Sequence, residues 1–171
     1  MNRILIAGIG NVFFGDDAFG VEVAQALLKR DLPPGVEVRD FGIRSYDLAF
    51  ALTDNYDAII LIDAAARGQQ PGTVFLIEPD LAELRELDRT IPDAHSLDLV
   101  RVLQMAESFG GIRTAPFLVG CEPSLLESSD GELGLSDPVR AAVPKAVAMI
   151  EALVTNLLNI ETKQEPGFLP V

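Results

Sequence analysis

The chain is poor in cysteine, histidine, tryptophan and positive charge: one Cys, one His, no Trp, and 13 Lys and Arg against 26 Asp and Glu, for a formal net charge of −13. A single cysteine forbids an internal disulfide, which points to a reducing, cytoplasmic setting. The acid surplus would repel phosphate backbones and anionic headgroups, so nucleic-acid and membrane-surface roles are disfavoured and a basic or cationic partner fits better. Long apolar runs are also missing. Ala58-Ile59-Ile60-Leu61-Ile62 is closed at once by Asp63, far short of the ~20 residues that cross a bilayer, and no membrane helix is expected. The apolar run that follows Met1-Asn2-Arg3 ends at Gly8, too soon for the hydrophobic region of a signal peptide.

What remains is a globular composition. With 171 residues, 49% hydrophobic and 23% charged, the chain suits one domain that buries roughly 70% of its unfolded surface. Arg3 to Ala7 is a continuous apolar run of the kind buried on both faces of a parallel sheet. From Phe19, the positions Phe19, Val23, Ala26 and Leu27 fall on one helical face, and Pro33-Pro34-Gly35 ends the segment. Val36 to Phe41 and Asp57 to Ile62 read as further strands, with Tyr46 to Leu52 a short helix between them.

Beyond Pro71-Gly72 come a strand over Thr73 to Ile77, an acidic helix around Leu81 to Leu87, and a loop over Arg89 to Ala94. A helix capped by Ser96, a strand over Phe117 to Gly120, and an exposed turn at Ser128-Ser129-Asp130-Gly131 follow. The closing helix starts near Ser136 with Pro138 in its first turn, and Pro144 is expected to kink or split it. Alternating strands and helices imply an α/β fold: a single three-layer domain over residues 1–160, its twisted sheet mostly parallel, of about five strands, with helices on both faces. Residues 161–171, with Pro166, Gly167 and Pro170, are expected to be a flexible tail.

In such sheets ligands bind outside the carboxyl ends of the strands, so chemistry is sought just after Ala7, Arg39, Ile62 and Val119. The first of these loops, Gly8-Ile9-Gly10-Asn11-Val12-Phe13-Phe14-Gly15-Asp16-Asp17, is not a dinucleotide fingerprint: Phe13 stands where the third glycine belongs, and two acids open the helix where a pyrophosphate would sit. No P-loop and no G-x-S-x-G elbow occur.

Acids do stand at strand ends: Asp16 and Asp17 after the first strand, Asp40 after the second, Asp63 after the third. Each also has a plain structural explanation, as a helix-capping or turn-forming carboxylate. His95, the only histidine, lies in a polar loop before the Ser96 helix, and alone it fits a surface residue as well as a ligand. If that loop folds over the carboxyl edge, Asp17, Asp63 and His95 make a two-carboxylate, one-imidazole set suited to a first-row divalent metal. Cys121 reads as a small buried apolar residue, since the one histidine is better placed as a ligand than as its base.

Gly8-Ile9-Gly10-Asn11, Asp16-Asp17-Ala18-Phe19-Gly20, Ile62-Asp63-Ala64, Pro71-Gly72, His95 and Gly134-Leu135-Ser136 with Val139, in that order, resemble the [NiFe] hydrogenase maturation endopeptidases from Arg3 to about Leu158. Peptidyl-tRNA hydrolases share the opening strand and G-x-G-N, but Val12 stands where they carry Pro and their His-Asn pair is absent. The maturation resemblance implies an endopeptidase that trims the C-terminal extension of the hydrogenase large-subunit precursor after nickel is installed. It implies Asp17, Asp63 and His95 as the metal-binding and catalytic residues, with nickel carried by the precursor and another divalent ion as an alternative in the resting protein. Asp16 is a helper or a helix cap. Two positions depart from the family pattern: Phe41, where Gly is frequent after the Asp of the second strand, and Ala18, where Gly is frequent; the first bears on which precursor is recognised. A non-catalytic precursor-binding factor or metallochaperone would use the same three residues without activating water.

Overall fold

Residues 3–78, 94–124 and 134–162 are described by the computed structural model. In chain order they form β1 (Ile4–Ile9), a 3-10 turn (Gly15–Ala18), α1 (Phe19–Leu27), β2 (Val36–Gly42), α2 (Ser45–Ala51), β3 (Ala58–Ala64) and β4 (Val74–Ile77). Then come α3 (Ala94–Phe109), β5 (Phe117–Cys121) and α4 (Asp137–Thr162). The strands join in one sheet in the order β2-β1-β3-β5-β4, parallel except for β4, which pairs antiparallel to β5. The expected α/β architecture therefore holds, with its antiparallel strand at one edge.

The unbroken apolar runs of β1 and β3 follow from burial on both faces. Ile4 and Ile6 of β1 with Ile60 and Ile62 of β3 face one helical layer, α1 and α4, around the fully buried Phe19. Leu5 and Ala7 with Ile59 and Leu61 face the other, α2 and α3, through Leu48, Leu52, Val102 and Ala106. Burying one ring such as Phe19 contributes about 2–3 kcal/mol. Gly20 fixes how closely α1 lies on the sheet: a Cβ there would run into the carbonyl oxygens of Ile62 and Ile9.

Two expectations change. The helix expected after Ser96 begins at Ala94, so His95 lies within the first turn of α3 rather than in a preceding loop, a shift of the size by which helix ends are commonly misplaced. Nor does Pro144 split the closing helix, which is one element from Asp137 to Thr162. Pro144 is on the exposed side, where water can meet the Arg140 carbonyl that the missing N–H leaves behind, while Val139, Ala142, Ala146 and Ile150 hold the opposite face in the core.

By length and composition α4 is also apolar enough to cross a membrane, since its 23 residues from Asp137 to Asn159 include an 18-residue window of mean hydropathy 1.5. A search for unbroken apolar runs passes over it because Arg140, Lys145 and Glu151 interrupt it. Its apolar face is spent on the core beneath α1. The acidic helix expected at 81–87 and the turn at 128–131 lie outside the described residues; of the tail expected over 161–171, residues 161–162 are the end of α4 and the rest lies outside the described residues.

Candidate active site

The chain runs from β1 outward to β2 and returns to β3 on the other side of β1, so the reversal of strand order falls between β1 and β3. That is where the carboxyl edge of an open parallel sheet leaves a crevice. A cleft of about 80 Å³ opens there, lined by Asp17 from the 3-10 turn and Asp63 from the end of β3. Its remaining walls are Ile9 and Gly10, the Phe41–Ser45 stretch after β2, Leu48 of α2, and Leu99 and Val102 of α3.

Each acid is delivered by simple backbone logic. Along β3, Ile59, Leu61 and Asp63 alternate onto the face covered by α2 and α3, so the same period that buries two apolar residues presents the carboxylate to the cleft. Asp63 is 8% exposed. Asp17 is 7% exposed; one of its oxygens accepts the Asn11 N–H at 2.8 Å, closing the loop back on itself. Gly10 makes that closure sterically feasible, with φ at +136° and the Asp17 carbonyl standing where its Cβ would be.

The other candidates separate from this pair. Asp16, next to Asp17 but turned away from the cleft lining, is 1% exposed and accepts the backbone N–H groups of Ser124 and Ser136 and the Ser136 hydroxyl at 2.7–2.9 Å. It does not cap its own helix; neither the 3-10 turn nor α1 has a side-chain cap bond. Asp40 lies within β2 and accepts Gln25 Nε2 at 3.0 Å, outside the cleft lining. Strand ends therefore supply two cleft acids, not three.

His95 falls in the first turn of α3, four residues before Leu99 and seven before Val102, a spacing that puts its position on the face of α3 that lines the cleft. The side chain of His95 lies outside the described residues. Among the described residues no group of three His, Cys, Asp or Glu is arranged to hold a metal.

Cys121, at the end of β5, is fully buried, and burial, with the charges of Asp16 and Glu122, pushes its thiol up to about 12. It stays protonated at neutral pH and offers no nucleophile. Glu122 follows it, 5% exposed, its carboxylate accepting the N–H groups of Arg67 at 2.7 Å and Gly68 at 3.2 Å in the loop that leaves β3. Glu122 carries no motif of its own. The signal that could have selected it is the one that selected Asp63: an acid directly after a buried strand at the carboxyl edge.

Residues 21–153 match the family model HycI, described as hydrogenase maturation protease. The chain belongs to the hydrogenase maturation protease family. The hydrogenase 2 maturation protease of Escherichia coli is 31% identical over 152 residues, covering 88% of this chain and 89% of that protein. Among solved structures, the hydrogenase maturating endopeptidase HybD of E. coli superimposes with a TM-score of 0.75 at 31% identity, covering 90% of this chain and 93% of its own. The [NiFe] hydrogenase maturation protease HybD of Thermococcus kodakarensis gives a TM-score of 0.69 at 25% identity, with 88% and 98% covered. Membership in the maturation protease family makes the cleft between β1 and β3 a candidate peptidase site.

Proposed function

We propose that this maturation protease removes the C-terminal extension from the large-subunit precursor of a [NiFe] hydrogenase once nickel is in place, with Asp17, Asp63 and His95 engaging the nickel that the precursor carries. The observation that carries this reading is the pairing of two buried carboxylates in one cleft, beneath the face of α3 on which position 95 falls. Two carboxylates and an imidazole are a donor set suited to a first-row divalent ion, so the residues fit. A bound nickel ion supplies Lewis acidity, polarising the scissile carbonyl or drawing the pKa of a water toward ~7.

The chain's own residues do the rest. Asp17 is steadied by the Asn11 N–H, so its carboxylate is held at the cleft before substrate arrives. Asp63 sits on a strand whose backbone pairs on both sides, with Gly8↔Ile62 and Asp63↔Gly120 flanking it. Phe41, Leu48, Leu99 and Val102 give the cleft apolar walls, and an apolar surround strengthens any charge interaction made inside it. Cys121, protonated and buried, takes no part.

The test is the mass of the large subunit after incubation of the purified protein with nickel-loaded and with nickel-free precursor. Loss of a C-terminal peptide from the loaded precursor alone supports this function. Intact mass in both, with binding retained, would instead favour a non-catalytic precursor-binding factor or metallochaperone built on the same three residues.

A further inference from the structure

β2 is an outer strand of the sheet; among the described residues only β1 pairs with it. Beside its carboxyl half a groove of about 560 Å³ runs between β2 and α2. Phe41 and Arg44 line both this groove and the cleft that holds Asp17 and Asp63. Groove and cleft therefore adjoin across Phe41 and Arg44, and a chain lying along the outer strand ends beside the cleft that holds the two carboxylates.

The walls define what fits. Phe50 forms an aromatic side, 57% exposed and fixed by stacking on Phe109 with ring centroids 4.4 Å apart. Asp40, Asp47 and Asp54 supply negative charge. The two cations of the groove are already engaged within the protein: Arg39 by Glu37 at 2.6 Å, and Arg44 by the carbonyl oxygens of Phe41 and Asp40, with Asp47 3.8 Å away. An outer strand adds an extended peptide through main-chain hydrogen bonds, and side chains at alternate positions then read the walls.

We infer that the groove between β2 and α2 docks an extended, positively charged segment of the substrate polypeptide and delivers it to the cleft. This rests on the peptidase reading of the cleft, and it assigns substrate selection to a surface outside the reacting groups. The acids set the sign of the charge the groove prefers; its shape, its aromatic wall and the residues it shares with the cleft place a docked segment next to the reacting groups.

Binding is measured apart from cleavage, by fluorescence anisotropy of a labelled nonapeptide of alternating lysine and alanine, with a glutamate-for-lysine peptide as comparison. The wild-type protein is expected to bind the lysine peptide at least about tenfold more tightly, and the Asp47→Lys/Asp54→Lys variant to lose that margin. Phe50→Ala is expected to weaken binding as well. Glu22→Lys/Glu151→Lys, the same charge change on the α1 and α4 layer, is expected to leave binding within about twofold, which separates a docked segment from general attraction to an acidic protein.

With an unprocessed precursor that the protein cleaves as substrate, the groove variants raise KM and leave kcat unchanged, since they touch no reacting group. Unchanged peptide affinity in Asp47→Lys/Asp54→Lys, or equal loss in the opposite-face variant, overturns the docking groove even if the protein is a peptidase. So does a wild-type dimer that these groove variants dissociate, since a second copy would then occupy the groove. Charge-selective peptide binding with no processing of any precursor keeps the groove and rejects the peptidase reading.

Discussion

Asp16 accepts hydrogen bonds from both the backbone N–H and the hydroxyl of Ser136, at 2.7 and 2.9 Å, across 120 residues of chain. With the Ser124 N–H as a third donor at 2.8 Å, one buried carboxylate ties the turn carrying Asp17 to the end of β5 and the start of α4. Asp16→Ala takes the charged acceptor from two half-buried backbone N–H groups and leaves the Ser136 hydroxyl only its contact with Ser124 Oγ at 3.1 Å, a loss of about 2–4 kcal/mol. Urea unfolding is the measure. A loss below about 1 kcal/mol would mean that water replaces the carboxylate and that the tie is weak.

That tie explains why the sequence is only partly legible. β1 and β3 are readable because burial on both faces leaves unbroken apolar runs, and those runs point to the acids that follow them, Asp16, Asp17 and Asp63; the preference for Asp17 over Asp16 comes from the family resemblance. Asp16 and Asp17 are neighbours of the same type, yet one turns to Ser124 and Ser136 and the other to the cleft. Only the packing of distant segments separates them. Asp40 misleads for the converse reason: it occupies the right kind of place along the chain, but the groove, not the cleft, lies beside it. The helix start at Ala94 is hidden because Ser96 is a good cap residue by composition, while helix ends depend on tertiary packing as much as on caps.

His95→Ala and Asp63→Asn are each expected to abolish processing of a nickel-loaded precursor. Neither is expected to move the thermal unfolding midpoint much, since the first changes one residue in the opening turn of α3 and the second keeps the shape of the side chain. Mass spectrometry of the precursor, with a thermal melt of each variant, checks both halves. Wild-type processing by His95→Ala would remove that residue from the site.

Cys121 carries a pH dependence. Its folded pKa, about 12, lies above the ordinary value of 9.0, so below pH 9 both folded and unfolded chains hold the proton and its contribution to stability is complete. Above pH 9 the unfolded chain releases the proton first, and stability falls progressively as pH rises toward 12. Cys121→Ala is expected to flatten that alkaline loss in chemical denaturation between pH 8 and 11. Iodoacetamide at pH 8 should leave the native wild-type thiol unmodified and label it only after unfolding; rapid labelling of the folded protein would contradict its burial.

Pro144 sits at an exposed position in the interior of α4 without dividing it. Proline there denies Arg140 an intrahelical partner, whereas alanine would restore the bond. Pro144→Ala is therefore expected to stabilise the protein by about 1–3 kcal/mol, seen as a rise in the melting temperature of about 2–4 °C for each kcal/mol. A lower melting temperature would show that the proline sets a bend on which the packing of Ala142 and Ala146 depends.

Glu122 binds the loop leaving β3 from the neighbouring strand end, through the N–H groups of Arg67 and Gly68. Gly68 has φ at +74°, and successive N–H groups in such a turn form a concavity that prefers an anion. The backbone of Glu122 also pairs with Thr73 and Gly72 on the far side of that loop, so the residue closes the chain between β3 and β4 at both ends. Glu122→Ala should therefore loosen this loop selectively. The expected result is faster amide hydrogen exchange at residues 66–68 and a stability loss of about 1–2 kcal/mol, because two N–H groups in a half-buried turn lose a charged acceptor. Glu122→Gln keeps one acceptor oxygen but turns an amide donor toward the second N–H, so its exchange should fall between wild type and alanine. Equal exchange in all three proteins would mean that the turn holds its shape through Arg67, whose guanidinium lies 5.1 Å from the centre of the Phe75 ring, and not through the carboxylate.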